Sequence, residues 1–84
     1  AEVDFVYKFK SRLLPIEVKT GDNSRLRSLH QFMEESKENI AIRLWNGTFC
    51  SDEIRLPSGK QYTLYNLPFY YAGQFESFLN DKVE

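Results

Sequence analysis

Cysteine is almost missing from this sequence. Cys50 stands alone in 84 residues, so an intramolecular disulfide and a thiolate zinc cluster are both excluded. Histidine is as scarce, and the single His30 leaves neither a histidine-rich metal centre nor a sensible Ser-His-Asp arrangement. No apolar run approaches the roughly 18 residues of a membrane span, and no basic segment leads into an apolar one in the manner of a signal peptide. The sequence therefore reads as a soluble, cytoplasmic chain with no membrane partner. Neither sign of charge dominates: Lys plus Arg total 11 and Asp plus Glu total 12, a net charge of -1, so no global field draws nucleic acid. Repeats, low-complexity tracts and linkers are absent.

Aromatic residues are present in quantity, 15% of the chain as seven Phe, five Tyr and one Trp. Large side chains are one way for so short a chain to assemble a core. Residues 1–84 are expected to make a single domain of two packed layers.

The fold class expected is α/β (α+β), with a mixed sheet. Residues 4–9 read as a strand with Phe5, Tyr7 and Phe9 on one face. A polar turn at Lys10-Ser11 returns the chain through residues 13–19, where Leu14, Ile16 and Val18 share a face, giving an N-terminal β-hairpin. Pro15 lacks an amide proton and should sit where no neighbouring strand needs one. Residues 20–24 offer N-cap candidates for a crossover helix over 24–36, carried by Leu26, Leu29, Phe32 and Met33. The apolar run Ile40–Leu44 reads as a central strand parallel to 13–19. Asn46-Gly47 signals a type I′ turn into a second hairpin, returning through Thr48, Phe49 and Cys50, and this reading is preferred to a glycosylation acceptor. After the turn at Pro57-Ser58-Gly59, residues 61–65 read as a last strand. A C-terminal helix is expected from the stripe Tyr71, Phe75, Phe78 and Leu79.

One constellation carries chemistry. Residues two apart in a strand project from the same face, so Glu17 and Lys19 stand side by side while Val18 points the other way. If the hairpin turns about Lys10-Ser11, paired residue numbers sum to 21, and Asp4 lies opposite Glu17. Two carboxylates so placed either raise one pKa or call for a cation between them. A hard ion such as magnesium suits the pair, with Lys19 placed to orient a water or to neutralise charge on phosphorus.

The arrangement of Asp4 followed by Glu17-Val18-Lys19 on a hairpin, with a helix next, resembles the PD-(D/E)XK nuclease superfamily of restriction-endonuclease-like fold. The segments Ala1–Val6, Pro15–Gly21, Ile40–Leu44 and Asn66–Tyr70 resemble more closely the C-terminal nuclease-like domain of a group of prokaryotic AAA-type ATPases of unknown function. The resemblance implies that Asp4 and Glu17 bind Mg2+ and that Lys19 is the catalytic lysine in cleavage of DNA. It also implies a partner, the protein's own N-terminal ATPase module. ATP would bind only there, because no Gly-x-x-x-x-Gly-Lys-Ser/Thr loop occurs in these residues. The superfamily places a glutamate-bearing helix and a strand ahead of the first carboxylate, so the sequence is expected to be a fragment lacking both, inactive alone, with Glu2 a partial substitute. Bare apolar surface at that place predicts self-association. The alternative is a non-catalytic module of the same fold that docks on the ATPase or on another protein, with exposed tyrosines among Tyr62, Tyr65, Tyr70 and Tyr71.

Lys8, Lys10, Arg12, Arg25 and Arg27 form a weak candidate nucleic-acid patch. His30 reads as a core-edge histidine, Cys50 as a small buried strand residue, and Trp45 as packing before stacking.

Overall fold

The computed structural model describes residues 3–19 and 26–83. Glu2, Arg25 and the N-cap candidates of the crossover segment lie outside the described residues. The fold is mixed α+β. Strands β1 (Phe5–Phe9), β2 (Arg12–Val18), β3 (Ile40–Trp45), β4 (Cys50–Arg55) and β5 (Gln61–Pro68) form one five-stranded sheet in the order β1-β2-β3-β5-β4. Helix α1 (Arg27–Glu35) lies between β2 and β3 in the chain, and a 3-10 turn at Phe69–Gln74 leads into α2 (Phe75–Lys82). Tyr71 therefore belongs to the 3-10 turn and not to the last helix.

The N-terminal hairpin has the expected register, from Phe5 opposite Ile16 to Phe9 opposite Arg12. Lys10 turns it with a positive φ of 56°. Next, β2 and β3 pair in parallel, with Ile16 beside Ile42 and Glu17 beside Arg43. Pro15 stands one residue before that ladder begins, so its missing N–H leaves no gap.

The second hairpin does not form. β5 inserts between β3 and β4, parallel to β3 and antiparallel to β4. Burial explains this: β5 carries Tyr62, Leu64 and Leu67 almost fully buried, whereas β4 is exposed at all but Ile54. An apolar strand belongs in the centre and a polar one at the edge. Asn46-Gly47 accordingly adopts no type I′ turn, since neither residue has a positive φ. Gly47 is needed for a different reason, because the Trp45 ring lies where a Cβ would stand.

Alternation along the strands separates two cores. On one face, Leu14, Ile16, Ile42, Leu44 and Leu67 pack with Phe9 and with Phe78, Leu79 and Val83 of the C-terminal segment. Phe78 is at the middle of an aromatic cluster, its ring centroid 5.3 Å from Tyr65 and 5.9 Å from Phe49. On the other face, Leu29 and Met33, one helical turn apart, bury α1 against Ala41, Leu56, Tyr62 and Leu64. Lys60, beyond the Pro57–Gly59 turn, donates to the Met33 and Ser36 carbonyls, each at 2.5 Å. It satisfies the end of α1, whose last turn has no basic residue of its own. Among the described residues no helix is long and apolar enough to cross a membrane.

Candidate functional site

β2, β3 and β5 run in the same direction, so their carboxyl ends meet at one edge of the sheet, where Glu17, Lys19, Arg43, Trp45 and Asn66 all lie. In open α/β sheets this edge is where ligands bind. Continuing the hairpin register one step places Asp4 opposite Glu17. The Val18 amide donates to Asp4 Oδ2 at 2.7 Å, tying the start of the chain to the end of β2. Glu17 is half-buried, and its Oε1 is buried with no hydrogen-bond partner. Burial pushes its carboxyl above the usual carboxylate range, the Asp4 carboxylate pushes it further, and the Asp4 amide partly offsets both.

Lys19 lies just past the end of β2. Its amide continues the β2–β3 ladder by donating to the Leu44 carbonyl at 2.8 Å. Its ammonium rests over the Trp45 ring, 5.4 Å from the centroid, and no ion pair with Asp4 or Glu17 forms. Trp45 is thus a platform, but for a lysine. Its indole N–H donates to the Thr48 carbonyl at 2.9 Å.

Lys8, Lys10 and Arg27 are exposed, Lys10 beside the Phe9 ring at 5.3 Å. Arg12 is committed internally, its Nε to Glu38 and its Nη2 to Asn39, both at 2.9 Å. Cys50 is exposed and not buried, because β4 is the sheet edge. His30 sits at the core edge as expected, its ring 5.9 Å from Tyr62 in an edge-on contact. Its Nε2 and the Tyr62 hydroxyl are both buried without a partner. Burial pushes the Tyr62 hydroxyl up to about 12, the nearby Arg43 acting against it. Tyr62 is only 1% exposed, which removes it from any exposed tyrosine patch.

Sequence reasoning missed a polar row across three strands. Arg43 Nε donates to Asn66 Oδ1 at 2.8 Å, and Asn66 Nδ2 donates to Asp52 Oδ2 at 2.9 Å. Asn66 is 1% exposed. The signal lay in Arg43 and Asn66 themselves, polar residues inside otherwise apolar central strands, which must find buried partners.

Asp4 and Glu17 are the residues that would hold a small hard divalent ion: the Asp4 carboxylate is near enough to push the Glu17 carboxyl up, Glu17 Oε1 is buried without a partner, and magnesium is held by one or two carboxylates with waters completing its shell. Among the described residues, no group of three or more His, Cys, Asp or Glu stands together.

No curated protein and no solved structure matches the chain. A family model described as a domain of unknown function, DUF4143, matches residues 1–70, and the chain belongs to that family.

Proposed function

We propose that the domain is a nuclease-like module of PD-(D/E)XK type, acting in metal-dependent cleavage of DNA phosphodiesters as the C-terminal part of an AAA-type ATPase. The observation that carries this reading is the unpartnered Glu17 Oε1, beside Asp4 at the carboxyl ends of parallel strands. An orphaned buried carboxylate oxygen is costly, and a cation bound there would satisfy it. Asp4 and Glu17 would hold magnesium, with the Asp4 carboxylate already oriented by the Val18 amide. When bound, such an ion supplies a water of lowered pKa and a positive counter to phosphate. Hydrolysis forms one phosphorus–oxygen bond to water and breaks another, releasing an alcohol. Lys19 offsets the negative charge gathering on the phosphoryl oxygens. The restriction-endonuclease-like core belongs to the same proposal, supported by the hairpin, crossover helix and parallel β3.

The test is manganese binding by calorimetry on the chain, followed by cleavage of end-labelled DNA by the protein with its upstream segment restored, with Glu17→Ala and Lys19→Ala beside the wild type. Manganese should bind the wild type and not Glu17→Ala, and both variants should lose cleavage by at least tenfold. Equal cleavage by all three proteins would eliminate the assignment.

A second reading has its own observation. Phe5 is 61% exposed and Tyr70 76% exposed, with Val6, Leu13 and Phe69 also at the surface. Apolar side chains so placed favour a non-catalytic module docking on an ATPase or another protein, and that reading expects no metal affinity.

A further inference from the structure

We infer that Trp45 is a positioning residue for Lys19, holding the ammonium over its ring at the carboxyl edge of the sheet, on the face that Glu17 also occupies, without neutralising it. The inference rests on the cleavage reading for its chemical purpose. The parallel register that sets Val18 beside Leu44 sets Lys19 beside Trp45 one step later. The two side chains leave the same face at the carboxyl edge, and Nζ comes to 5.4 Å from the ring centroid.

The ring is held from two further directions. The indole N–H is bound to the Thr48 carbonyl at 2.9 Å. Gly47 lies against the six-membered portion of the ring, where a Cβ would collide with Cε2, Cζ2 and Cη2. A glycine with no positive φ is required here by the tryptophan alone, so the segment Trp45–Thr48 is built around the indole and not around a tight turn.

What the indole offers a lysine differs from what a carboxylate offers. Among the described residues no carboxylate forms an ion pair with Lys19. A carboxylate would cancel the charge that a phosphate is to meet. An aromatic face attracts the ammonium through its quadrupole and leaves the net charge at +1. It also restrains a side chain that otherwise has wide rotamer freedom.

The experiment has two arms. In the first, proton NMR of the metal-free chain follows the Lys19 ε-methylene, which a nearby ring face shifts upfield. The shift should be present in the wild type, largely kept in Trp45→Phe and lost in Trp45→Leu and Gly47→Ala, with far-UV circular dichroism confirming folded variants. In the second, cleavage of labelled DNA in manganese is measured, in the protein with its upstream segment restored, for Trp45→Leu, Lys19→Ala and the double variant. Trp45→Leu should lower kcat by roughly fivefold with KM unchanged. Trp45→Phe should recover most of the loss, and Trp45→Leu should add nothing in the Lys19→Ala background. An unshifted wild-type ε-methylene, or losses that multiply in the double variant, would overturn the positioning role. Absence of cleavage by the wild type, with the upfield shift intact, would instead sink the nuclease reading and leave the placement of Lys19 by Trp45 standing.

Discussion

The face of the sheet under α2 and the face under α1 are made by alternate residues of the same strands, yet they obey different rules. Under α2, Leu14, Ile16, Ile42, Leu44 and Leu67 meet Phe78 and Leu79 with no buried polar side chain among them. Under α1, the apolar group around Leu29 and Met33 shares its face with Glu17, Arg43 and Asn66. Among the described residues, the three buried side-chain polar atoms without partners, Glu17 Oε1, His30 Nε2 and Tyr62 Oη, are on that side. Both faces carry a core, and the α1 face carries polar side chains beside its own. Unsatisfied buried groups are rare in folded proteins and concentrate where chemistry or binding uses them.

The contrast is broken most directly on the dry face. Leu67 is fully buried, in β5 against Phe78 and Leu79. Leu67→Ala should cost about 3 kcal/mol, from lost burial and from the cavity left behind. Urea unfolding followed by circular dichroism measures it. A loss below about 1 kcal/mol would mean that the α2 face is loosely packed and the two faces are alike after all.

The dry face was also the more legible in the sequence. Phe5, Tyr7 and Phe9 share one face of β1 as Leu14 and Ile16 share one face of β2, and the short turn at Lys10-Ser11 sets the register between them, so the pairing of Asp4 with Glu17 followed. The run Ile40–Leu44 read as central because it is apolar on both faces but for Arg43. Strand order beyond β3 was not legible from local signals. Asn46-Gly47 marks a hairpin only if the strands on either side want to pair, and the burial demanded by Tyr62, Leu64 and Leu67 brought β5 to β3 instead. Every feature of the site that depends on that insertion was hidden with it: the Arg43–Asn66–Asp52 row, the exposure of Cys50 and the fold of Trp45 over Gly47. The chemistry-bearing residues were visible as types, but which of them meet is decided by a non-local choice.

A hydroxyl deletion on the polar face should have the opposite sign to the leucine truncation. Tyr62→Phe removes a buried hydroxyl that bonds to nothing and keeps the ring against His30. It should raise stability by about 1 kcal/mol at neutral pH. Ionisation adds a second signature. With the Tyr62 hydroxyl pushed up to about 12, its contribution to stability is complete below the ordinary tyrosine pKa of about 10 and is lost as pH rises through the folded value. The alkaline loss of stability should therefore be smaller in Tyr62→Phe. A destabilised variant would show that the hydroxyl has a partner after all and that the α1 face is no less satisfied than the other.

The smallest effect separates a strained carboxylate from a merely polar one. In the folded chain Glu17 is held above the ordinary carboxylate range, first by burial and then by Asp4. Such a group favours the fold fully below its unfolded pKa, about 4.3, and that contribution is lost as pH rises through the raised folded value. Glu17→Gln keeps the shape and never ionises, so it should exceed the wild type by about 0.5 kcal/mol at pH 7, a figure already reduced for solvent screening at a partly exposed site. At pH 3 the two proteins should melt together. Excess manganese should reverse the order at pH 7, because an ion that binds only the folded wild type stabilises it by mass action. Scanning calorimetry at the two pH values, with and without manganese, reads all of this. A wild type that is the more stable at pH 7 without metal would make Glu17 an ordinary structural carboxylate, and the polar face would then be a scaffold like its opposite.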